Sequence, residues 1–92
     1  MAVSRRMTPN RGSERWPDEP MKNPQQEVAR RLAINLKNAI GDRSVRSVAE
    51  AAHLDANTVS RVIAGAIWCD ILTLAKLEEH LEVGLWPGRI DD

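Results

Sequence analysis

Four stretches of the chain place apolar residues at helical spacing. From Gln25 onward Val28, Leu32, Leu36, Ala39 and Ile40 repeat at threes and fours on one face, with Arg30, Arg31 and Lys37 elsewhere, until Gly41. The spacing predicts a first helix over roughly Pro24 to Ile40, with Ile34 off its stripe. Ser44 is a suitable N-cap for a short second helix whose apolar side is Val45, Val48, Ala49 and Ala52 and which stops around His53. Asp55 can cap a third, with Val59, Val62 and Ile63 on its inner face and Gly65 as a left-handed terminator. Asp70 caps a fourth, in which Ile71, Leu74, Leu77 or Glu78, and Leu81 alternate core and solvent. Glu78, Glu79 and Glu82 hold its outside, and it ends at Gly84. Trp86 is expected to cover the bottom of the core, because an aromatic ring buries a large area and the chain has no Phe or Tyr. The pattern is all-α, with four helices, or five.

The helical pattern begins only after a different kind of sequence. Residues 1–24 hold four of the five prolines, three of them at Pro17, Pro20 and Pro24, among polar and charged residues with almost no apolar period. That composition predicts a disordered N-terminal arm over 1–24. Its Arg5, Arg6, Arg11, Arg15 and Lys22 are the groups it can offer to phosphates or a minor groove, although an inert tail is the simpler reading. The folding unit is then 25–87, followed by a fraying tail, 88–92. A unit of about seventy residues buries one modest core and leaves little area for a deep substrate cleft. Binding functions gain weight over an elaborate enzyme site.

Charge first argues against a polyanionic partner, since formal net charge is zero. The distribution changes that picture. Residues 1–64 carry eleven Lys/Arg against seven Asp/Glu, whereas residues 65–92 carry two against six. A basic face opposite an acidic one is the consequence. The single cysteine, Cys69, excludes an internal disulfide framework and suits a reducing cytoplasm. No apolar run approaches the roughly eighteen residues of a membrane span, and no secretion signal follows the early arginines, so a cytoplasmic location is expected.

The most constrained spacing lies between Val45 and Ala64. Two short helices crossing steeply need a small residue where they meet, which Ala49 provides, with Val48 and Ala52 flanking it. Leu54 plugs the turn, Val59 follows five residues later, and Val62 three beyond that. This fastens the third helix and leaves Ala56, Asn57, Ser60 and Arg61 facing outward. His53 occupies the turn position that usually carries glycine because the backbone there takes a positive φ, which histidine adopts at a cost of about 1 kcal/mol.

On these residues the stretch from Ser44 to Gly65, SVRSVAEAAHLDANTVSRVIAG, resembles the phage-repressor and Cro type of helix-turn-helix, the XRE family. Ile71 to Trp86 resembles that family's fourth helix and closing turn, and the similarity covers about residues 26–87. The resemblance implies a lambda-repressor-like DNA-binding domain whose second and third helices form the helix-turn-helix, with the third in the major groove. It further implies that Ala56, Asn57 and Arg61 approach base edges. Asn can bond adenine and Arg guanine in bidentate fashion, each worth about 1–3 kcal/mol of discrimination, and Ala56 can offer a thymine-methyl contact. Ser60 and Thr58 bring hydroxyls to base or phosphate, and Arg43, Ser44 and Arg46 would hold the phosphate backbone. In such a fold Trp68 lies near the DNA backbone, where it packs on a sugar or shields the junction of the third and fourth helices. Val45 stands where the family often has glutamine.

Catalysis and cofactors find no counterpart in these residues. His53, His80 and Cys69, at spacings of sixteen and eleven, fit no compact zinc pattern, and no Gly-rich phosphate loop or Ser/His/Asp constellation can be read. No metal and no cofactor is expected. The sequence therefore reads as a small transcriptional regulator that binds double-stranded DNA in a sequence-specific way, a repressor acting by operator occupancy. One recognition helix buries too little surface alone, so a homodimer on two half-sites is expected. The other reading is a protein-interaction module of the same fold, such as an antitoxin or a regulatory adaptor.

Overall fold

The computed structural model describes residues 7–90. Four helices follow one another, α1 (Pro24–Ile40), α2 (Val45–Ala51), α3 (Ala56–Ala64) and α4 (Ile71–Leu81), and no strand occurs among the described residues. None of these helices is long and apolar enough to cross a membrane.

Each helix starts on a side chain that accepts an otherwise orphaned backbone N–H. Asn23 accepts from Gln26 N at 2.9 Å, Ser44 from Ser47 N at 3.0 Å, Asp55 from Asn57 N at 2.7 Å, and Asp70 from Thr73 N at 2.7 Å. Caps of this kind stabilise a helix by about 1 kcal/mol each. Pro24, at the first position of α1, has no N–H to lose there.

The core is built from the inner stripes these starts define. Leu32, Ala33, Leu36 and Ile40 of α1 meet Val48, Ala49 and Ala52 around α2, Val59 and Val62 of α3, Leu77 of α4, and Leu85. Ala49 and Val59 are fully enclosed where α2 and α3 pack on each other. Between those helices His53 has φ 60°, as its position in the turn predicts. There His53 N donates to Glu50 O at 3.1 Å and Leu54 N to Ala49 O at 2.8 Å, which uses up the last carbonyls of α2 in a left-handed helix ending. Lys76 Nζ of α4 donates to His53 O at 3.3 Å and braces the turn from outside.

The C-terminal part departs from the periodicity in three places. Ile71, expected to turn inward, is 83% exposed. The inward face of α4 centres on Thr73 and Leu77, with Leu74 and Leu81 beside them, and at 100° per residue Ile71 lies about two-fifths of a turn from that centre. The helix ends at Leu81, three residues before Gly84, with Glu82 in the left-handed region at φ 55°. Trp86 is 58% exposed and does not close the core; Leu85, 1% exposed, does. The Glu78 carboxylate accepts both Leu85 N at 2.7 Å and Trp86 N at 3.1 Å, fixing the chain so that Leu85 points in, and those two bonds hold Glu78 below its usual range. Glu78 is accordingly half-buried rather than outside.

The largest difference is at the N-terminus. Where composition predicts a disordered arm, residues 7–23 form a succession of turns seated on the end of α3. Trp16 Nε1 donates to Ile63 O at 2.9 Å, Asn10 Nδ2 to Ala64 O at 3.0 Å, and Asn10 N to Gly65 O at 2.9 Å. Gln26 Nε2 holds the same segment from α1 through Thr8 O and Arg11 O, at 3.2 and 3.0 Å. Polar and proline-rich sequence is ordered here because α3 ends with unpaired carbonyls that need donors, and Asn10 and Trp16 supply them. Arg5 and Arg6 lie outside the described residues.

Candidate nucleic-acid interface

α3 is the best-defined exposed feature of the molecule. Its N-terminus is fixed by the Asp55 cap and its C-terminus by Gly65, at φ 74°. With Val59 and Val62 locked in the core, the 3.6-residue period leaves Asn57, Ser60, Arg61 and Ala64 on the open side, and all four are exposed. Among the described residues the Asn57 amide, the Ser60 hydroxyl and the Arg61 guanidinium make no hydrogen bond or ion pair within the chain, and neither does the exposed guanidinium of Arg46 on α2. An amide, a hydroxyl and two guanidiniums, exposed on two helices that pack together and with no intramolecular partner, are a donor-rich set suited to an acceptor-rich ligand.

The remaining residues singled out in the sequence divide. Ala56 does not face outward; it is half-buried and packs on the core from the first position of α3. Thr58 is also half-buried. Ser44 spends its hydroxyl oxygen as acceptor on Ser47 N, which leaves its O–H proton able to donate outward. Arg43 is turned back onto α1, where Nε donates to Ile40 O at 3.2 Å and Nη2 to Ala39 O at 2.9 Å, so it caps that helix's C-terminal carbonyls. Trp68 is 39% exposed and its Nε1 donates to Met7 O at 2.8 Å. The indole thus shields the passage from α3 to α4 and holds the N-terminal segment.

Trp68 and Trp86 flank an apolar cleft of about 320 Å³ that Val28 and Leu32 floor and Cys69 lines. Burial, with the Asp70 charge beside it, pushes the Cys69 thiol up to about 11, so it stays protonated at neutral pH and behaves as a packing group. No group of three His, Cys, Asp or Glu among the described residues is arranged to hold a metal ion.

Sequence reasoning missed Asn10, Trp16 and Glu27. The Glu27 carboxylate, almost enclosed, takes Arg30 at 2.7 Å, Arg31 at 2.9 Å and Met21 N at 2.8 Å, tying the N-terminal segment to α1. The run Glu27, Arg30, Arg31 has the i, i+3 and i, i+4 spacing of ion pairs, which was its one visible signal. Comparison with protein-family models, curated proteins and solved structures finds no match to this chain.

Proposed function

We propose that the chain is a sequence-specific double-stranded DNA-binding protein of the phage-repressor helix-turn-helix type, in which α3 enters the major groove and α2 lies across the phosphate backbone. The observation that carries this reading is the exposed set Arg46, Asn57, Ser60 and Arg61, uncommitted within the described chain and borne on helices that begin on capping side chains. Asn57 and Arg61 are the base readers, Ser60 reaches base or phosphate, and Arg46 with the Ser44 hydroxyl holds the backbone. Repression by operator occupancy is the simplest activity for such a domain.

A second copy supplies the second half-site. The exposed Ile71 and Leu72 at the start of α4 give that copy an apolar surface. Replacing Ile71 and Leu72 together with aspartate is expected to leave the helix content intact and raise the dimer dissociation constant at least tenfold. Sedimentation at several concentrations checks this; an unchanged mass distribution refutes the surface.

Titrating a mixed-sequence duplex at low and moderate salt tests the reading itself. Asn57→Ala should relax preference at one base pair of a selected site. Arg46→Ala should weaken every sequence alike and flatten the salt slope by about 1. Equal effects of the two would sink the division into base and phosphate contacts. The same exposed Ile71 and Leu72, with zero net charge, favour as second reading a protein-interaction module that makes no use of DNA. Absence of low-salt duplex affinity decides for it.

A further inference from the structure

The open stripe of α3 does not stop at the helix end. Its last member, Ala64, gives its carbonyl to Asn10 Nδ2, and the next carbonyl, that of Gly65, accepts from Asn10 N. Arg11 follows Asn10 directly. Arg15 directly precedes Trp16, whose indole lies on Gly65 and donates to Ile63 O. Both arginines are exposed. The backbone that carries them is held from three directions: by the end of α3, by Gln26 of α1, and by Trp68 of the loop leading to α4. Cations mounted on an anchored backbone meet a polyanion with less ordering entropy to lose than cations on a loose tail.

We propose that the segment from Met7 to Asn23 is a second part of the DNA surface, in which Arg11 and Arg15 bind phosphate oxygens bordering the bases read by α3. Asn10 and Trp16 are positioning residues that hold those two arginines against the helix end. The inference rests on the reading of α3 as the base-reading helix. Electrostatics at this end favour it: the C-terminus of a helix carries partial negative charge that repels phosphate. Here the terminal carbonyls are occupied by Asn10 and Trp16, and Arg11 and Arg15 are the immediate chain neighbours of those two residues.

The test is a salt series on the full chain with a mixed-sequence duplex. Arg11→Ala with Arg15→Ala should reduce the slope of log affinity against log salt by about 2, at about 0.9 per phosphate contact, and lower affinity about tenfold on every sequence while base preference stays unchanged. Trp16→Ala should lose the same part of the slope with native helix content by circular dichroism. Should Trp16→Ala unfold, the two exposed arginine substitutions carry the result alone. A wild-type slope for the double arginine variant, with affinity still lost in Arg46→Ala and Arg61→Ala, overturns this inference and leaves the α3 reading standing. No duplex binding by the wild-type chain at low salt overturns both.

Discussion

Gly65→Ala is expected to be among the most damaging single-methyl changes in the chain, destabilising it by about 3 kcal/mol and lowering the melting temperature by more than about 10 °C. Gly65 sits at φ 74°, where an alanine is strained by about 1 kcal/mol. An added Cβ would also stand 2.5 Å from Trp16 Cε2 and 2.8 Å from Asn10 Cβ. The indole would have to leave, and with it the donors to Ile63 O and Ala64 O; the part-buried Ile63 carbonyl left unpaired costs about 1 kcal/mol or more, whereas the exposed Ala64 carbonyl turns to water. Gly41→Ala is the internal control. Gly41 has φ 61° with ψ −129°, a backbone region that glycine alone readily adopts, and a Cβ there meets only Asn38 O, at 3.9 Å, so backbone strain alone applies and it exceeds that at Gly65, whose ψ is 17°. Thermal unfolding of both variants, together with Gly65→Ala in a Trp16→Ala background, separates strain from displacement of the segment. The glycine change should be milder once the indole is gone. Equal losses for Gly65→Ala in the wild-type and Trp16→Ala backgrounds would mean that the indole contributes nothing to the cost at this end of α3.

Glu27→Gln is the second large effect, about 2 kcal/mol near neutral pH, because charge-assisted hydrogen bonds to Arg30 and Arg31 are replaced by neutral ones. The Arg30 guanidinium beside it is the main cause that holds the Glu27 carboxyl down, from 4.5 to about 2, with the Met21 N–H and Arg31 adding to it and burial opposing. Since the folded-state value lies below the unfolded one, the contribution is complete above about pH 4.5 and is lost as pH falls toward about 2. Wild-type stability should therefore drop across that window, and the glutamine variant should drop less. Chemical denaturation at a series of acidic pH values checks this; parallel curves for the two proteins would remove Glu27 from the account of acid sensitivity. Glu27 also accepts from Met21 N, so its loss loosens the segment that carries Arg11 and Arg15.

Both predictions concern contacts that link the N-terminal segment to the helices, and that is where the sequence was least legible. Helix starts at Ser44, Asp55 and Asp70 could be read directly, because a cap is a contact between residues two or three apart and leaves its mark in the local order of residue types. The positive φ at His53 and the stop at Gly65 were legible for the same reason. So were Ala49, Val59 and Val62, whose burial follows from a helical period and a turn of fixed length. The open positions Asn57, Ser60 and Arg61 of the candidate interface are the complement of that buried set, and so came with it.

Tertiary structure alone decided the rest. Trp16 and Ile63 are 47 residues apart, and Asn10 and Ala64 54 apart, and no periodicity records such pairings. The N-terminal segment was unreadable because its order comes from donors meeting the exposed end of another helix rather than from any propensity of its own. Ile71 and Trp86 were misread because a period identifies a stripe but not its edge. Whether a residue at the margin is covered depends on what packs there, and Leu85, turned inward by Glu78, takes the place assigned to Trp86. Arg43 looked like a phosphate ligand and is a cap on α1, since a guanidinium goes to whichever carbonyls or phosphates the fold brings within reach. Local order along the chain therefore determined the helices and the open face of α3. The three-dimensional arrangement decided which cations remain uncommitted on that face, and that a segment read as a loose arm closes its far end.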